Sequence, residues 1–184
     1  MTRLASARDR TPPVVPLPVD EVVCGSLAPQ ALARLLEGRS NAERASRRSR
    51  GTCAPAAFQC AVHRFSSSEG AGENFSVDLG TGDRVLLLAA HHDAVDGSPG
   101  ANGNAAAVGI LLNLLERLAT EPSTKIRLRF LFTAAEERGY LGARHYAREA
   151  SVGELAGVLS LELCGIGDSV VIWDAGTRRR FFGR

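Results

Sequence analysis

The run Val85-Leu86-Leu87-Leu88-Ala89-Ala90 restricts the fold of this 184-residue chain more than any other feature. Six apolar residues without alternation do not suit a strand with one face in water. They suit a strand covered on both faces, as in a sheet between helices. The best helix lies just downstream, over residues 104–118, where Ala107, Ile110, Leu111, Leu114, Leu115 and Leu118 recur at spacings of three and four. Further strands are expected at 126–133, 158–163 and 169–173, with a short helix at 141–150. Strand, helix, strand, helix, strand predicts an α/β domain: three αβα layers around a mostly parallel mixed sheet. Upstream, 58–62 and 75–79 read as a hairpin around the Ser/Gly-rich turn 66–72.

The first 20 residues contain Pro12, Pro13, Pro16 and Pro18, which block helix and central strand alike, and are expected to be a flexible leader before one domain over 21–184. A helix is expected over 27–36, with Ser26 as its N-cap. The arginines between 39 and 50 suit a solvated face or loop; a basic patch for an acidic partner is the alternative.

Composition narrows the function. Hydrophobic residues make up 45% and charged residues 23%, so most of the chain should fold. A net charge of +2 gives no basis for a nucleic-acid or membrane partner. No window is apolar enough for a membrane span, and the N-terminus has no signal-peptide core, so a cytoplasmic location is expected. Cys24, Cys53, Cys60 and Cys164 form no C-x-x-C pair and no zinc-finger spacing. They read as free thiols, with a Cys53–Cys60 disulfide as the alternative.

Chemistry concentrates where strands should end. His91-His92-Asp93 follows the first apolar run, and Glu136-Glu137 follows the strand at 126–133. Open α/β sheets bind ligands at this edge. His91 can offer an imidazole nitrogen to a metal, while Asp93, two residues on, can orient the ring. Glu136 and Glu137 diverge, so one can bind metal while the other faces a water, as metal-dependent hydrolysis requires. A charged helix N-terminus is the competing reading of that pair. Glu162 lies in an expected apolar strand, where a carboxylate is costly unless paired or metal-bound. An outward-facing side chain on a half-exposed strand is its alternative. Between these segments, Pro99-Gly100-Ala101-Asn102-Gly103-Asn104 lets the backbone approach a bound group.

In this order and spacing, the segments from about residue 85 to 168 resemble the zinc exopeptidases of clan MH. The family holds bacterial aminopeptidases, glutamate carboxypeptidase, glutaminyl cyclase and the transferrin-receptor ectodomain. The resemblance implies a zinc-dependent, aminopeptidase-like hydrolase acting on peptides. It implies His91, Glu137 and Glu162 as zinc ligands, Glu136 as general base and Asp93 as the supporting acid. Glu162 stands where the family commonly has aspartate.

Two departures bear on activity. The family places an acid that bridges two zinc ions where this chain has Gly103, so loss of one metal or weak binding of both is expected. Asn102 can offer only an amide oxygen. The family's last ligand, a histidine, has no counterpart after His145, and the fold is expected to be incomplete at its C-terminal end. A non-catalytic relative that keeps the fold as a binding module is therefore the alternative function. Acyl transfer to form pyroglutamate shares the ligands but has no distinctive support.

Overall fold

In the computed structural model, which describes residues 58–172, the long apolar runs become the middle of a five-stranded sheet. The strands are β1 (Cys60–Ser67), β2 (Gly70–Leu79), β3 (Arg84–His91), β4 (Ile126–Thr133) and β5 (Leu155–Ser160), in the spatial order β1-β2-β4-β3-β5. β1 and β2 form the expected hairpin. β2 pairs antiparallel with β4, whereas β3 runs parallel to both β4 and β5. The leader, the helix at 27–36, the arginine-rich stretch, Cys24, Cys53 and the residues after 172 lie outside the described residues.

Two helices cover opposite faces. Helix α1 (Ala106–Leu118) sets Val108, Leu111, Leu112 and Leu115 against Phe75, Val77, Leu88, Phe130 and Phe132. Helix α2 (Leu141–Glu149) brings Tyr146 to Leu87 and Leu131, and Leu141 to Phe65. Adjacent residues of β3, Leu87 and Leu88, therefore enter different cores, which is why its sequence does not alternate. The α/β class with helices on both faces is as expected.

Several boundaries differ from the expectation. The hairpin strands run over 60–67 and 70–79 instead of 58–62 and 75–79, so most of the turn expected at 66–72 is paired strand. Helix α1 begins two residues late, because Ala101–Ala105 forms a wider helical turn in which Gly103 and Asn104 leave helical angles. The strand expected at 158–163 is β5, shifted to Leu155–Ser160. Leu163 has φ 52°, so the chain turns away from the sheet before it. Residues 169–172 form no strand and are exposed, because no neighbouring strand pairs with them among the described residues.

Candidate metal centre

Three parallel strands, β4, β3 and β5, end side by side, with β3 in the middle. His91 is the last residue of β3 and is paired in register with Thr133, the last residue of β4. The pairing continues one step, from His92 N to Thr133 O at 2.9 Å, before the loops diverge. On the other side, Leu161 N donates to Ala89 O at 2.9 Å, which delivers Glu162 to the same edge. Neighbouring strands lie about 4.8 Å apart, so residues distant in sequence must meet there.

They do meet. His91 is buried, and its Nε2 lies 3.3 Å from Glu162 Oε2 and 3.9 Å from Glu136 Oε2. Ligand atoms of His91, Glu136 and Glu137 all lie within 4.8 Å of one another. One imidazole with carboxylates is a donor set that suits zinc, so these residues fit the implied ion.

Asp93 has a broader part than ring orientation. His91 Nδ1 lies 3.0 Å from the Asp93 carbonyl oxygen and 3.5 Å from its carboxylate. The carboxylate accepts the backbone N–H of Glu136 at 3.0 Å and that of Glu137 at 3.2 Å. Asp93 thus ties the β3 exit to the β4 exit and sets both glutamates beside the imidazole.

The charges reinforce one another. Burial is the largest single influence on His91 and disfavours its charged form. The hydrogen bonds to Asp93 and Glu162 and the charges of Glu162 and Glu136 outweigh it, raising the imidazole to about 10. Burial would raise Asp93, but His91 and the two backbone N–H groups hold it down at about 2. Glu136 is raised, first by burial and then by the repulsion of Glu137, Glu162 and Asp93, against the pull of His91.

Glu162 corrects the sequence argument. It stands beyond the end of β5 and is exposed, so burial in an apolar strand is not what constrains it. Its ion pair with His91 is. His92 packs inward instead, with its ring against Phe75 and Nε2 3.1 Å from Glu73 O.

The turn before α1 brings no further anion. Asn102 Oδ1, the one amide oxygen this turn could offer in place of the acid, accepts from Gly165 N at 2.8 Å. Asn104 Nδ2 donates to Leu161 O at 2.8 Å. Gly103 carries no side chain, and a Cβ there would meet only Leu163 Cδ2, at 3.3 Å. Gly100, at φ 64° and with Ala94 Cβ 2.6 Å from its own absent Cβ, is the glycine that the loop requires.

Asn74 escaped the sequence reading. This fully buried β2 residue bonds to Ala134 and Gly142, the two ends of the turn that carries both glutamates. A usable signal was present: asparagine is unusual inside a strand that otherwise feeds the core.

The model of peptidase family M28 matches residues 74–181, more than half of the chain, and spans every residue of this cluster. The chain belongs to peptidase family M28. Over 71 residues the M28 chain is 39% identical to aminopeptidase YwaD of Bacillus subtilis, covering 39% of this chain and 15% of that protein. Among solved structures, LapA of Legionella pneumophila aligns with TM-score 0.59 at 15% identity, over 76% of this chain and 39% of LapA. A glutaminyl cyclase from an Acidobacteriales bacterium aligns with TM-score 0.54 at 18% identity, over 79% of this chain and 54% of the cyclase. These two likenesses concern the fold of the M28 chain alone. No helix among its described residues is long and apolar enough to cross a membrane.

Proposed function

We propose that this chain carries the centre of a zinc-dependent exopeptidase of the aminopeptidase type, acting on peptides in the cytoplasm. His91, Glu137 and Glu162 hold the ion, Glu136 is the general base and Asp93 positions the set. The observation that carries this reading is the meeting of His91, Glu136 and Glu137 within 4.8 Å at adjacent strand ends of an M28 chain.

When bound, zinc supplies Lewis acidity toward the scissile carbonyl and the attacking water. The residues do the rest. His91 presents Nε2 from a ring whose Nδ1 is fixed on Asp93. Glu136 takes the proton of the attacking water as the carbon–oxygen bond forms. It passes that proton to the leaving amine as the carbon–nitrogen bond breaks. Its raised pKa brings the carboxylate closer to working pH, where a general base is most effective.

The test compares Glu136→Gln and Glu137→Ala with the unmodified chain, measuring zinc per chain by mass spectrometry and hydrolysis of aminoacyl nitroanilides. Glu136→Gln should keep its zinc and lose about 10²- to 10⁴-fold in rate. Glu137→Ala should lose zinc. Full activity in Glu136→Gln, or no zinc on the unmodified chain, would overturn the proposal. A non-catalytic module is the second reading, favoured by Gly103 and by the engaged amide of Asn102. Zinc bound without hydrolysis is its signature.

A further inference from the structure

The turn from Ala134 to Gly142 carries Glu136 and Glu137, and one side chain grips both of its ends. Asn74 Oδ1 accepts the Ala134 N–H at 3.0 Å, and Asn74 Nδ2 donates to Gly142 O at 2.9 Å. Gly142 N closes the same ring by donating to Ala134 O at 3.0 Å. A buried amide is costly unless both of its ends are satisfied, and here both are.

The turn needs outside support. Ala135 and Tyr140 both adopt positive φ, 54° and 60°, where non-glycine residues are strained. Gly142 fits so closely that an added Cβ would lie 2.4 Å from Asn74 Oδ1 and 2.3 Å from Ala134 O. The amide and the turn are therefore shaped to each other, and Asp93 pins the middle through the N–H groups of Glu136 and Glu137.

We propose that Asn74 is a positioning residue of the metal centre: by clamping Ala134 and Gly142 it sets where Glu136 and Glu137 stand relative to His91. This rests on the reading of His91 and Glu137 as ligands. Asn74 touches neither, so its effect on metal passes entirely through the turn.

The test is zinc affinity, by competition with a chromophoric chelator, at a temperature where each variant is folded. Asn74→Asp keeps the shape and the acceptor for Ala134 but sets an oxygen against Gly142 O. Its zinc dissociation constant should rise about 10- to 100-fold, as for other residues that support ligands from behind. Leu115→Ala, in the core under α1 and away from the turn, should melt earlier with zinc affinity unchanged. Equal affinity in Asn74→Asp and the unmodified chain overturns the inference and leaves the metal centre standing. So does an equal loss in Leu115→Ala, which would reveal general destabilisation. No zinc on the unmodified chain sinks both the centre and the inference. Hydrogen exchange on the unmodified chain is immune to folding defects. The Ala134 amide should exchange as slowly as those of β4, and rapid exchange from the folded state would also overturn the clamp.

Discussion

His91 has the carboxylates of Asp93, Glu136 and Glu162 within 4 Å of one ring, and Asp93 is the one that also holds the backbone of the loop after β4 in place. Asp93→Asn removes a charge and one acceptor without changing shape. Zinc affinity should fall about 10- to 100-fold, read by the same chelator competition, and undiminished affinity would contradict the role of Asp93. The acid side gives a second readout on the metal-free chain. The Asp93 pKa is lowered to about 2 from an unfolded value of about 3.9, so its stabilisation is fully present above about pH 4. It is lost as pH falls toward 2. The unmodified chain should therefore lose more stability than Asp93→Asn across that interval, measured by urea unfolding at fixed pH values. At this scale the sequence was informative wherever a polar pair interrupts an apolar run, as at His91, Asp93, Glu136 and Glu137. At Glu162 the outward-facing alternative was the correct one, since its expected strand ends earlier, and at Asn74 the sequence offered only an unusual strand residue, because its partners are backbone groups that no side-chain pattern reveals.

The elements explain why the pieces assemble. β4 falls at its expected residues, because its apolar run and its length both suit a strand. β5 begins at Leu155 instead of 158: Leu155 pairs with Val85 and Gly157 with Leu86, and Ala156 is left between them at a shift of register. Pairing with a distant strand overrode local composition there. The approach of the β2–β3 connection to the start of β4 is equally invisible in sequence. Gly82 sits there with Ile126 N and Lys125 C only 2.4 Å from where its Cβ would be. These are backbone atoms that cannot step aside. Gly82→Ala should destabilise the fold by about 1–3 kcal/mol or more, measured by equilibrium urea unfolding. A stability unchanged within error would show that the two segments are not tightly apposed.

For the whole molecule, the two layers of helix and the mixed sheet followed from periodicity, while the side-by-side placement of residues 91, 136 and 162 followed only from strand order. Three glutamates and Asp93 crowd one imidazole in the metal-free chain, and a bound dication would relieve their repulsion. Because an unfolded chain cannot gather these groups, zinc at a hundred times its dissociation constant should add about 2.7 kcal/mol of stability. Differential scanning calorimetry with and without zinc reads this as a raised melting temperature in the unmodified chain. The shift should vanish in His91→Ala, and a persistent shift there would place the ion elsewhere.

β3 lies between β4 and β5, and each neighbour reaches it through its own helical crossover. The donors are consequently synthesised in instalments: the imidazole at the end of β3, the paired acids after α1 and β4, and Glu162 after α2 and β5. On the proposed ligand set, a nascent chain thus cannot bring all of its donors to one cation until β5 is seated beside β3, which makes metal capture a report that these two strands have paired.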